Sequence, residues 1–195
     1  AQNLTENTEL DKKVQQFIDS HPRKSGNMNV PAIDGKYLHD LIVEHKYKSA
    51  LEIGTSTGHS SIWIAWALSK TGGKLITIEI NEGRYKQALS NFKEAGLEKY
   101  IDARLTNAHE LVPKLEGPFE FVFSDADKDW YINYFKAVDP KLKVKGCYTS
   151  HNVTEKNGIF GNREYVEFFE KLPNYKTSYF EKGGGIAVSF KTAEN

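Results

Sequence analysis

Two stretches of the chain concentrate side chains able to do chemistry. The first is Ser124-Asp125-Ala126-Asp127-Lys128-Asp129, directly after the mostly apolar strand 119–123. It sets three carboxylates around one lysine, a grouping that also suits a solvated turn and a helix N-cap. The second is Ser150-His151-Asn152, again at the end of an apolar stretch. If the two stretches end neighbouring strands, Asp125, His151 and Asn152 converge. An oxygen-rich cluster with one imidazole then has the chemical type of a divalent-cation site.

A second pair of features points to a bound small molecule. Glu52-Ile53-Gly54-Thr55-Ser56-Thr57-Gly58-His59-Ser60 places glycines where a turn must pass close to a ligand. The helix that follows presents free N–H groups. The spacing is not the Gly-x-Gly-x-x-Gly of a dinucleotide site, and no Gly-Lys-Ser/Thr follows to cradle a triphosphate. Taken alone, it reads equally well as a tight strand-to-helix connection. Glu79 closes the next strand, where a carboxylate accepts both hydroxyls of a ribose, although a strand-end Glu is ordinary in isolation. Together the two features favour an adenosine-type ligand without a large phosphate charge.

These residues depend on the elements that carry them. Leu10, Val14, Phe17 and Ile18 form a helical stripe that Pro22 ends, and residues 23–29 read as a loop. From Lys36 onward helix and strand alternate. The helix faces are Tyr37-Leu38-Leu41-Ile42, then Ile62-Ala65-Trp66-Ser69, then Tyr85-Ala88-Leu89-Phe92 with Gly96 as C-terminal cap. A short helix near 109–115, one over Tyr131-Tyr134-Phe135-Val138 and one at 165–172 complete the set. Strands are expected at 50–53, 75–80, 101–105, 119–124 and 146–150, with a closing hairpin of 175–180 and 186–190. The expected fold is α/β: a mostly parallel, Rossmann-like sheet with helices on both faces and an antiparallel C-terminal hairpin. Residues 1–195 form one domain, divided into an N-terminal helix-and-loop extension (1–36) and a core (37–195). Ligands of such sheets sit outside the strands' carboxyl ends.

Composition removes several classes. Lys plus Arg and Asp plus Glu are each 26 in 195 residues, so the formal charge is zero, and the basic footprint of a nucleic-acid binder is missing. A lone cysteine, Cys147, excludes an internal disulfide framework. The longest apolar run, 62–68, is far short of the roughly 20 residues that span a bilayer. No signal peptide is visible, and the opening Ala1-Gln2-Asn3 without Met leaves a processed, exported form open. Cytoplasmic location is expected from function alone.

The ordered motifs resemble the class I S-adenosylmethionine-dependent O-methyltransferases, in particular the cation-dependent catechol and caffeoyl-CoA group. The resemblance rests on Met28-Asn29-Val30 with Gly35, on Leu51-Glu52-Ile53-Gly54 with Gly58 and Ser60, and on Ile76-Thr77-Ile78-Glu79-Ile80-Asn81. Phe121-Val122-Phe123-Ser124-Asp125-Ala126-Asp127-Lys128, Asn152-Val153 and the closing Gly183-Gly184-Gly185-Ile186-Ala187-Val188 extend it. It implies a seven-stranded sheet with a reversed final hairpin. It also implies that Val30 and the 52–60 loop (Glu52, Gly54, Ser60) hold the methionine part of S-adenosylmethionine. By the same carry-over Glu79 binds the ribose, and the Asn107-Ala108 turn flanks the adenine. Asp125 then serves the cofactor wall and a cation, Lys128 is the catalytic base, and Asn152 is a further metal ligand. A homodimer is expected from the resemblance and from the prevalence of two-fold assemblies; the stripe at Leu10 could serve that interface or its own core.

One departure stands out. Where the group usually has Asp-Asn after the fifth strand, this chain has His151-Asn152, with one carboxylate fewer for a cation. Mg²⁺ prefers oxygen ligands, whereas Mn²⁺ and other transition ions accept imidazole, so the metal differs, binds weakly or is absent. Asn107 also stands where Asp is common, and no acyl-CoA-binding segment is identifiable. The expected activity is methyl transfer from S-adenosylmethionine to a hydroxyl of a small, catechol-like aromatic acceptor, with Lys128 taking the proton and Asp125, His151 and Asn152 as cation ligands. The alternatives are a cofactor-binding homologue with altered or lost activity and an adenosine-nucleotide oxidoreductase.

Overall fold

Short apolar strands alternating with helices give the chain its architecture, seen in a computed structural model that describes residues 3–23 and 28–194. The opening Ala1-Gln2 and residues 24–27 of the anticipated loop lie outside the described residues. Helix α1 (Thr8–Ser20) is capped by Asn7, whose side chain accepts the Leu10 N–H. Helix α2 (Ala32–His45) follows Pro31. It starts ahead of the expected face at Tyr37, so the anticipated boundary at residue 36 falls inside it. Pro31 holds ψ at 145° and ends the extended chain there, and Ala32 begins the helix.

The core then runs β1 (Ser49–Ile53), α3 (His59–Thr71), β2 (Lys74–Glu79), α4 (Glu82–Ala95), β3 (Ile101–Leu105), α5 (Ala108–Leu111), β4 (Phe119–Ser124), α6 (Tyr131–Val138) and β5 (Leu142–His151). Two-residue strands β6 (Val153–Thr154) and β7 (Gly158–Ile159) form a small separate hairpin that the sequence did not suggest. Helix α7 (Glu164–Glu170) precedes the closing strands β8 (Tyr175–Phe180) and β9 (Ile186–Lys191). Strand β5 starts before the expected Gly146. Its pairing with β4 shifts register between Phe119↔Leu142 and Phe121↔Cys147, so an irregular segment precedes the regular strand.

The seven-stranded sheet has the order β3-β2-β1-β4-β5-β9-β8. The first five strands are parallel, while β9 runs antiparallel to both β5 and β8. Period-two alternation explains the two cores. Phe121 and Phe123 of β4 point to one face with Leu38, Ile42 and Ile64. Val122 points to the other, with Tyr131, Phe135 and Tyr148. Leu10, Val14 and Phe17 are buried against Ile62, Ala65 and Phe92, so the α1 stripe covers this chain's own core. Strand order reverses between β1 and β4, which brings the ends of β1, β2, β4 and β5 to one edge. Among the described residues no helix is long and apolar enough to cross a membrane.

Candidate active site

The turn after β1 depends on Gly54. Its φ is +100°, and a Cβ there would lie 2.8 Å from both the Ala126 Cβ and the Asp125 carbonyl oxygen. Only a residue without a side chain lets the β1 and β4 ends touch. The Asp125 N–H donates to the Ile53 carbonyl over 2.9 Å and ties the two ends together. Above this seam opens a cavity of about 690 Å³, within the usual range for small-molecule sites.

Most of the residues singled out from the sequence line this cavity: Val30, Gly54, Ser60, Glu79, Ala108, Asp125, Lys128, His151 and Asn152. Glu79 is fixed by backbone donors. Its Oε2 accepts the Ser56 N–H at 2.7 Å, and its Oε1 accepts those of Ile80 and Asn81 at 3.1 and 2.9 Å. Asn107 caps α5 by accepting the His109 N–H at 2.9 Å. The apolar side chain of Ile80 stands 68% exposed beside Ala108 on the cavity wall. Met28 and Phe160, 62% and 78% exposed, are apolar wall residues as well.

Glu52 departs from the expectation. It is fully buried and does not line the cavity. Its carboxylate accepts the hydroxyls of Ser60 and Ser61 and, at 2.6 Å, that of Thr77. Burial pushes its pKa up to about 7, against the opposing pull of those three hydroxyls. Strand alternation explains the placement: Ile53 and Glu52 face opposite sides, and Glu52 falls beneath α3. It braces Ser60, which does line the cavity.

A charged chain crosses the floor of the cavity. Lys128 Nζ donates to Asp125 Oδ1 at 2.6 Å and to Tyr131 Oη at 2.5 Å, and Tyr131 Oη donates to the His151 carbonyl at 3.0 Å. The other Asp125 oxygen lies 3.3 Å from His151 Nδ1. His151 Nε2 is 2.8 Å from Asp34 Oδ2, which also accepts the Gly184 N–H at 2.8 Å. Burial alone would lower the His151 pKa, but its hydrogen bonds to Asp125 and Asp34 outweigh that and raise it. His59, at the start of α3, shows the opposite balance. Burial, reinforced by His21, lowers its pKa to about 4 and keeps that ring neutral.

Of the anticipated cation ligands Asp125 and His151 meet, but not as ligands, while the Asn152 amide donates to the Gly184 carbonyl at 3.4 Å. A metal needs an imidazole lone pair, and both ring nitrogens of His151 face carboxylate oxygens. Both Asp125 oxygens are likewise engaged, by Lys128 and by His151. Among the described residues no group of three His, Cys, Asp or Glu side chains is arranged to hold a metal ion. The donor set does not fit a resident divalent cation. Asp34 and Tyr131 were missed from the sequence. Asp34 occupies the first position of the α2 stripe that continues through Leu38, Leu41 and Ile42. A carboxylate on an apolar helix face is the signal that could have found it.

This arrangement can be set beside known proteins. The model of the O-methyltransferase family matches residues 3–172. Caffeoyl-CoA O-methyltransferase 1 from Eucalyptus globulus is 30% identical over 168 residues, spanning 81% of this chain and 67% of that protein. Catechol O-methyltransferase from Niastella koreensis is 38% identical over 113 residues, spanning 56% of this chain and 51% of its own length. The chain therefore spans between half and about two thirds of these two relatives. Among solved structures, the O-methyltransferase TomG from Streptomyces achromogenes, in complex with SAM, superposes with a TM-score of 0.79 at 26% identity. That likeness covers 97% of this chain and 92% of TomG. The oxidoreductase alternative falls with these matches. On its sequence and on its fold, the chain belongs to the O-methyltransferase family.

Proposed function

We propose that the chain transfers the methyl group of S-adenosylmethionine to a hydroxyl of a small, catechol-like aromatic acceptor. The observation that carries this reading is that one cavity is lined by both the backbone-braced Glu79 carboxylate and Lys128, across the β1–β4 seam. The cavity fits the cofactor chemically. Glu79 has its N–H donors from the backbone side, which leaves carboxylate lone pairs for ribose hydroxyls. Ile80 and Ala108 offer apolar surface to the adenine, and Val30, Gly54 and Ser60 border the place of the methionine part. The bound cofactor supplies an electrophilic methyl group on a sulfonium.

The chain's own task is to align an acceptor oxygen and to take its proton. A neutral amine has two N–H bonds and one lone pair. Asp125 and Tyr131 accept both N–H bonds of Lys128, so the lone pair is the direction left for an acceptor hydroxyl. The open apolar side chains of Met28 and Phe160 suit an aromatic acceptor better than a charged one. The same reading carries the homodimer, whose interface must use surfaces other than the α1 stripe, because that stripe packs inward.

The test is turnover with S-adenosylmethionine and a simple catechol, followed by mass spectrometry of the methylated product. Lys128→Met should lower kcat by roughly 10²–10⁴-fold, the usual range for a lost acid-base group, with cofactor affinity retained. Cofactor binding with no product from a panel of aromatic hydroxyls would favour a homologue that has lost transferase activity.

A further inference from the structure

Asp34, His151, Asp125 and Lys128 form a continuous circuit of contacts drawn from separate parts of the fold. Asp34 comes from α2, Asp125 and Lys128 from the segment after β4, and His151 from the last position of β5. A fourth piece, the turn before β9, supplies the Gly184 N–H. Close contacts link them in series, Asp34 to His151 at 2.8 Å, His151 to Asp125 at 3.3 Å and Asp125 to Lys128 at 2.6 Å. Each nitrogen of the His151 ring therefore already faces a carboxylate oxygen.

The circuit is built into the backbone. A Cβ on Gly183 would overlap Asp34 Oδ1, and one on Gly184 would stand 2.7 Å from His151 Nε2. The turn can close over this pair only because those positions lack side chains. Asp34 Oδ1 has no hydrogen-bond partner among the described residues. It is nevertheless walled off by Gly183 and is not part of the cavity surface. Asp125, the carboxylate of this group that lines the cavity, already has a partner on each oxygen.

We infer that this site takes no divalent cation: the His151 ring, clasped between Asp34 and Asp125, fills the place beside Asp125 where an ion's charge would act. The inference deepens the methyl-transfer reading and, for its catalytic part, rests on it. In that reaction the acceptor oxygen forms a bond to the methyl carbon, the carbon–sulfur bond breaks, and the proton passes to Lys128. Lys128 and the His151 ring each hold one Asp125 oxygen, at 2.6 and 3.3 Å. An entering Mg²⁺ would have to compete with Lys128 and the His151 ring for Asp125. His151 is a positioning residue here, holding Asp125 to the β5 end.

The experiment is a calorimetric titration of the chelator-treated full chain with Mg²⁺ and with Mn²⁺, run with and without S-adenosylhomocysteine. No binding by the parent chain is the expected result, and stoichiometric Mn²⁺ binding would overturn the inference whether or not turnover is observed. Where turnover is present, the rate in excess chelator should equal the rate with added metal. Loss of that rate, restored by metal, counts against the inference. His151→Asp supplies a carboxylate in place of the clasped ring. It should bind Mn²⁺ or Mg²⁺ at least about tenfold more tightly than the parent, the scale on which a site's ligand partners move metal affinity. If that variant does not fold, the parent titration decides alone. Failure of S-adenosylhomocysteine to bind would strike the methyl-transfer reading instead, because the metal titration needs no cofactor.

Discussion

Ser56 and Glu79 meet across the ends of β1 and β2, where the Ser56 N–H donates to Glu79 Oε2 over 2.7 Å. With the Ile80 and Asn81 amides on the other oxygen, the carboxylate is oriented before any ligand arrives. Such preorganisation limits the ordering cost of binding. Glu79→Ala should weaken S-adenosylhomocysteine binding by roughly 1–3 kcal/mol, the scale for a lost charged hydrogen bond. Calorimetry that returns the parent affinity would remove Glu79 from the cofactor site.

Glu52 predicts a pH dependence of stability. Its folded pKa of about 7 lies above the ordinary 4.5, so the folded state holds this proton more tightly than the unfolded chain does. The resulting stabilisation is complete below about pH 4.5 and is lost as pH rises through 7. Its ceiling is ~3 kcal/mol, since each tenfold gain in proton affinity is worth about 1.4 kcal/mol. Glu52→Gln is neutral throughout and lacks this contribution. Urea melts at pH 5 and pH 8 should therefore show the parent losing more stability than the variant; a parent–variant difference that does not change with pH speaks against a protonated Glu52.

Gly54 predicts a local cost that reaches the cavity. Gly54→Ala must place a Cβ at φ +100° and 2.8 Å from the Ala126 Cβ and the Asp125 carbonyl oxygen. Backbone strain and overpacking each cost on the order of 1–3 kcal/mol. Both the thermal midpoint and S-adenosylhomocysteine affinity should fall, because the β1–β4 seam forms the cavity floor. An unchanged melt would show that the seam can open without penalty.

Much of this fold was legible because strands buried on both faces read as apolar runs. Phe119–Ser124 and its following Asp125 declare themselves in this way, as do Lys74–Glu79 and the glycine turn after Ser49–Ile53. The start of β5 and the β6–β7 hairpin were not legible. A register shift and two-residue strands are set by what the neighbouring chain offers, not by local pattern. Glu52 misled for a related reason. A polar residue in a turn motif looks like a ligand contact, whereas alternation along β1 turned it beneath α3 to meet Ser60, Ser61 and Thr77.

Sequence alone determined which residues reach the carboxyl edge of the sheet, since strand periodicity and the turns after β1, β2, β4 and β5 place them there. Tertiary structure decided what those residues do to one another. Asp34 and His151 are 117 positions apart, and only the strand order β4-β5-β9 with α2 laid across it brings them together. An imidazole's charge depends on which groups face its two nitrogens. His151 therefore read as a potential ligand in one dimension and stands clasped between Asp34 and Asp125 in three.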